Sequence, residues 1–151
     1  MRIPLWLTVG ILAGLWMPVA AMVKVPPWPL FVAWAAFFAA GGDEAALKKV
    51  YPALLSGVLW GYLTILLGAD VLAFIFGSWG VAVFVGIFAA IMVILAKYPF
   101  LSFAPAAFFG FATYFGTSLD FKATLTGLIV GPVVGYLSVK ATTMFSSAQK
   151  D

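Results

Sequence analysis

The chain has 151 residues, a net charge of +3 at pH 7, 65% hydrophobic residues and only 9% charged ones. A soluble domain is about half apolar and a quarter charged, so a chain this short and this apolar cannot cover itself with polar surface. A soluble globular domain and a disordered chain are excluded, and the scattered basic residues leave no stripe for nucleic acid.

The inventory of reactive groups is equally restrictive. There is no cysteine and no histidine, which removes disulfides, thiolate chemistry, the commonest general base and the commonest metal ligand together. No catalytic residue, metal site or cofactor is expected, and the chain does not read as an enzyme. It reads as an all-α polytopic membrane protein whose partner is the lipid bilayer.

Six uncharged runs of 17 to 26 residues follow one another: 3–23, 25–42, 50–69, 71–96, 98–119 and 123–139. A bilayer core of about 30 Å takes roughly 20 residues of helix. The runs consume nearly the whole chain, so residues 1–151 form a single transmembrane domain. They are continuous, whereas barrel strands alternate. The first run follows Arg2 and carries small residues at Val19, Ala20 and Ala21, so it is either a cleaved signal peptide or a structural helix. The repeat described below requires the helix.

The second run opens Val25-Pro26-Pro27-Trp28-Pro29. Three prolines in four residues cannot form helix interior, so regular helix begins near Pro29. From there to Gly42 is about 21 Å, too short for the core. Asp43, Glu44, Lys48 and Lys49 then form a solvated loop cluster before the third run. Asp70 separates the third run from the fourth, as a turn residue beside Gly68 or as a cation-attracting group at a pore mouth. The fifth run matches the second, because Pro99 and Pro105 confine regular helix to about 105–116. Both read as short or partly re-entrant segments, or else as ordinary helices with prolines at their N-terminal ends. Short, proline-interrupted segments in matching places point to a transport site. The sixth run follows Asp120 and Lys122.

With the N-terminus cytoplasmic, Arg2, Lys48, Lys49, Lys97, Lys140 and Lys150 fall inside and Lys24 and Lys122 outside. That bias favours six crossings with both termini cytoplasmic.

Two halves, about 1–69 and 70–143, resemble each other. Residues 9–14 match 85–90, Lys24-Val25-Pro26 matches Lys97-Tyr98-Pro99, 34–39 match 111–116, and 57–63 match 131–137. The matches are collinear at offsets of 76, 73, 77 and 74. Three segments per unit make the repeat inverted, a 3+3 plan shared at the level of fold with aquaporins and formate channels. Gly57 and Gly61 on the third run, and Gly127, Gly131 and Gly135 on the sixth, form flat stripes for close helix packing, as Gly10 and Gly14 do on the first. The third and sixth helices are expected to cross near the pseudo-axis, although such stripes also suit a neighbouring subunit.

Trp34, Phe37 and Phe38 lie on the second run and Phe111, Tyr114 and Phe115 at matching places on the fifth, with Thr113 and Thr117 nearby. Aromatic constrictions with few polar groups pass small neutral solutes and exclude hydrated ions. The other reading is that these rings pack in the bundle core. Trp6, Trp16, Trp28 and Trp79 read mostly as interface anchors.

Residues 31–42, Phe-Val-Ala-Trp-Ala-Ala-Phe-Phe-Ala-Ala-Gly-Gly, followed by 55–63, Leu-Ser-Gly-Val-Leu-Trp-Gly-Tyr-Leu, resemble the YcdZ-type family of small bacterial inner-membrane proteins of unknown function. The resemblance covers almost the full chain. It implies a bacterial or archaeal cytoplasmic membrane and carries over no site residues.

The function expected from the residues is a passive channel or facilitator for a small uncharged solute such as urea, another amide, ammonia or a gas. Trp34, Phe37, Phe38, Phe111, Thr113, Tyr114 and Phe115 would line the path. The alternatives are an ion-coupled transporter of a small organic solute and a non-transporting scaffold subunit. A homo-oligomer is expected, since a chain of this size has little interior.

Overall fold

A computed structural model describes residues 3–147. The described residues form seven α-helices and no strand. Helix α1 (Leu5–Met22) starts directly after the extended Pro4. Helix α2 (Trp28–Ala39) begins where the proline-rich approach permits, with Pro29 in the first turn, whose N–H groups have no intrahelical acceptor. It ends at Gly41 and Gly42, both at positive φ. Helix α3 (Glu44–Ile65) is capped by Asp43, whose Oδ1 accepts the Ala46 N–H at 2.8 Å.

The fourth apolar run is not one helix, contrary to expectation. Helix α3 runs on into a π-helical turn, Leu66–Val71, followed by the single turn α4 (Ala73–Phe76) and a 3₁₀ turn, Gly77–Trp79. Only then does α5 (Gly80–Leu95) form. Glycine explains the break. Gly77 adopts φ +53°, and Gly68 and Gly80 bring their backbones together so closely that neither has room for a Cβ. After a 3₁₀ turn at Pro99–Leu101 come α6 (Ala104–Gly116) and α7 (Phe121–Ser147).

Among the described residues, three stretches are long and apolar enough to cross a membrane: Leu5–Val23, Glu44–Val71 and Phe121–Thr142. Helices α2 and α6, of 12 and 13 residues, are only about 18 and 20 Å long. They are nonetheless central. Helix α2 lies along α7 and α3 lies along α6, while α1 flanks α7 and α5 flanks α3. The main core joins Ala33 and Ala36 of α2, Leu54 and Val58 of α3, Ala106, Ala107 and Tyr114 of α6, and Leu128 of α7.

Contacts at the two ends show how α1, α2, α3, α6 and α7 run past one another. At one end Lys122 Nζ donates to the Val23 carbonyl at 3.3 Å, and the Trp28 ring lies against Gly116. At the other end Thr8 Oγ1 donates to the Ser138 carbonyl at 3.0 Å, and Glu44 lies within electrostatic reach of Lys140. Residues 24–44 therefore carry the chain from one end of α7 to the other, and α6 runs parallel to α3. The expected shortness of the two segments is present. The proline-led approaches extend both segments beyond their short helices.

Candidate functional site

Lipid is as apolar as leucine, so burial of apolar surface gives little drive for helices to associate inside a bilayer, and close packing must supply it. The glycines provide that packing. A Cβ at Gly57 would collide with the Ala107 carbonyl of α6 and lie 2.7 Å from the Phe111 nitrogen. One at Gly61 would lie 3.0 Å from the Tyr114 ring. On α7, Gly127 meets Pro29 and Leu30, Gly131 meets the Leu30 carbonyl, Ala33 and the Trp34 nitrogen, and Gly135 meets the Phe37 and Trp34 rings. The stripes therefore face α6 and α2. Large aromatic residues on the short helices need a partner without side chains. Gly10, Gly14 and Gly86 have open space where a Cβ would go.

The aromatic side chains of the two short helices form two groups. On α2, Trp34 stacks on Phe31 at 6.3 Å, and Phe38 touches both Trp34 (6.2 Å) and Phe37 (5.7 Å). On α6, Phe115 touches Phe111 (5.0 Å) and Tyr114 (6.2 Å), while Tyr114 packs on Phe121 of α7 at 4.8 Å. Trp34, Phe37 and Tyr114 are buried at 3%, 0% and 3% exposure, whereas Phe38 is 36% exposed and Phe111 and Phe115 are half-buried. Trp34 belongs to a cluster with Trp16, Ala20, Val25 and Leu30, and Tyr114 to the main core. The structure does not bring the two sets into one ring. Trp16, expected as an interface anchor, is a core residue whose Nε1 donates to the Pro27 carbonyl at 2.9 Å and ties down the proline-rich approach. Trp6 and Trp79 are exposed, as anchors are.

Every described Asp, Glu and Lys is exposed, Asp70 included. Polarity inside the bundle is confined to hydroxyls and indoles. Thr64 Oγ1 donates to the Trp60 carbonyl (2.8 Å) and Ser138 Oγ to the Gly135 carbonyl (2.6 Å). At the C-terminus of α6, Thr117 Oγ1 lies 2.6 Å from Thr124 Oγ1 and within 3.4 Å of the carbonyls of Thr113, Tyr114 and Asp120. Three buried polar atoms have no hydrogen-bond partner among the described residues: Trp34 Nε1, Trp60 Nε1 and Thr113 Oγ1.

Sequence reasoning missed one correspondence. After α2, Gly41 N–H donates to the Phe38 carbonyl and Gly42 N–H to the Phe37 carbonyl. After α6, Ser118 N–H donates to the Phe115 carbonyl and Leu119 N–H to the Tyr114 carbonyl. Both are Schellman closures, with positive φ at all four residues. Asp120 Oδ1 then accepts the Ala123 N–H at 3.1 Å, as Asp43 accepts that of Ala46. All these pairs stand 77 positions apart, so the signal was available in the two aspartates.

The family model described as "Protein of unknown function (DUF1097)" matches residues 6–143. The chain is 33% identical over 140 residues to the uncharacterized protein YahC of Escherichia coli (strain K12), covering 87% of this chain and 84% of the relative. It is 34% identical over 136 residues to the inner membrane protein YcdZ of the same organism, covering 86% and 78%. It is likewise 34% identical over 138 residues to the inner membrane protein YcdZ of Salmonella typhimurium (strain LT2), covering 86% and 80%. No solved structure matches the chain.

Proposed function

The chain belongs to the DUF1097 family of proteins of unknown function, and from that membership and the geometry above we propose that it is a passive facilitator for a small uncharged solute in a bacterial inner membrane. The solute class is urea-like amides, ammonia or a gas. The chain crosses six times as a 3+3 inverted repeat, with α2 and α6 as the central elements of the path. The relatives named inner membrane proteins support the location.

One observation carries the reading: the two short helices are held by reciprocal contacts. Gly57 meets Ala107 and Phe111, and Gly131 meets Leu30 and Trp34. Gly57 and Gly131 are 74 positions apart, while Leu30 and Ala107, and Trp34 and Phe111, are each 77 apart. The third helix of each half grips the middle helix of the other. Such an exchange is what a pseudo-two-fold axis produces, and short middle helices at a repeat interface are where transport paths lie. A core without described charge suits a neutral solute, because an ion would lose its hydration there without compensation. Of the expected lining rings, Phe38 is exposed and Phe111 and Phe115 are half-buried, so these three remain accessible enough to narrow a path.

The second reading is an ion-coupled transporter. It is favoured by the oxygen cluster around Thr117, since hydroxyls and carbonyls at the C-terminal end of a short helix can coordinate a cation.

Solute uptake into proteoliposomes, measured with and without a sodium or proton gradient, separates the two. A facilitator equilibrates urea or formamide in either direction without a gradient, and Phe38→Ala and Phe115→Ala change the rate. Uptake that collapses with the gradient contradicts the passive reading, and no response to either substitution removes the aromatic constriction.

A further inference from the structure

We propose that the hydroxyl of Thr113 is the hydrogen-bonding contact for the solute, and that the solute class is a small amide. This inference rests on the facilitator reading and narrows it.

A threonine buried in an apolar helix ordinarily returns its hydroxyl to a carbonyl three or four residues back. The other described threonine and serine hydroxyls that are buried behave in that way: Thr8 to Leu5, Thr64 to Trp60, Thr117 to Thr113, Thr124 to Asp120 and Ser138 to Gly135. Thr113 is 1% exposed, and its Oγ1 has no partner among the described residues. Burying an unpartnered hydroxyl is unfavourable, so a packing role alone would favour an alkyl side chain. The repeat supplies that comparison. The position 77 residues earlier is Ala36, fully buried in the same core cluster as Ala106 and Ala107. A methyl group meets the packing need at the one place, whereas at the other the protein keeps a hydroxyl and does not use it internally.

That hydroxyl offers one donor and one acceptor on a short central helix. A gas uses neither. A bare ion needs several oxygens or a counter-charge, and every described carboxylate is exposed. An amide presents a carbonyl acceptor and N–H donors in a molecule of a few heavy atoms, and it pairs with both functions of the hydroxyl.

The test uses the full chain in liposomes and compares the wild type with Thr113→Val, Thr113→Ala and Thr113→Ser. Permeation of formamide, urea and ammonia is measured in parallel with the melting temperature in detergent, with and without acetamide. Removal of the hydroxyl is expected to leave the melting temperature equal or higher, because an unpartnered polar group is lost, and Thr113→Ala copies Ala36 if valine packs poorly. Amide permeation falls about tenfold in both variants, the equivalent of one hydrogen bond, while ammonia is unchanged and Thr113→Ser retains amide permeation. Amide permeation at the wild-type rate in Thr113→Val or Thr113→Ala overturns the proposal, as does an equal loss for amides and ammonia. If wild-type vesicles pass none of the solutes, the facilitator reading fails by itself. A melting shift with acetamide in wild type and Thr113→Ser, absent in Thr113→Val, then still supports the site, and no shift in any of them overturns it.

Discussion

Asp43 and Asp120 hold the same post 77 positions apart, each accepting the N–H of the residue three further on at the start of a long helix. Loss of either cap leaves a helix N–H without its acceptor. Asp43→Ala and Asp120→Ala are each expected to lower stability by about 1 kcal/mol, while the asparagine variants keep most of it. Thermal unfolding in detergent checks this, and a null effect at either position would mean that water already serves the N–H. The turns before them differ in legibility. Gly41-Gly42 announces positive φ from sequence, because glycine adopts it at no steric cost. Ser118-Leu119 adopts the same conformation with no such signal, since the surrounding Schellman closure imposes it. Gly42→Ala is therefore expected to destabilise by about 1 kcal/mol, measured in the same melts.

At the scale of the helix, the small-residue stripes were legible and their partners were not. A glycine at every fourth position announces a flat face but not what lies on it, and here the stripes of α3 and α7 receive α6 and α2. The break in the fourth run was hidden for a different reason: Phe74, Ile75 and Phe76 keep the run apolar, and hydropathy does not register a backbone turn at Gly77. The stripes give a graded prediction. A Cβ at Gly57 or Gly131 collides with a carbonyl of the facing helix, so Gly57→Ala and Gly131→Ala are expected to cost about 1–3 kcal/mol through forced separation of the helices. At Gly10 and Gly86 a Cβ meets nothing within 4 Å, so alanine there is expected to be neutral or to stabilise by up to about 1 kcal/mol through helix propensity. Equal effects at the four sites would contradict the assignment of the tight seams.

For the molecule as a whole, composition was enough to read the chain as a membrane protein, which the long apolar helices and the relatives named inner membrane proteins support. The succession of helices was also legible apart from the broken fourth run, because the uncharged runs mark where the other helices lie. The packing was not, because it depends on which helices face one another, and that emerges only when the contacts of Gly57 and Gly131 are set side by side. The aromatic residues were legible but their packing was not: Trp34, Phe37 and Tyr114 are buried, Phe38 is exposed, and Phe111 and Phe115 are half-buried. Because the chain has no histidine and its described charges are exposed, permeation is expected to stay flat from about pH 5 to 8; a bell-shaped or sigmoidal profile would require a titrating group in the path. The measurement that bears most directly on the central claim is stopped-flow light scattering of liposomes containing the purified protein, against empty liposomes, with water, urea, formamide, glycerol and ammonia. The account predicts faster relaxation for a small uncharged solute, amides foremost, with no ion gradient imposed. Traces that coincide with those of empty liposomes for all five would contradict it.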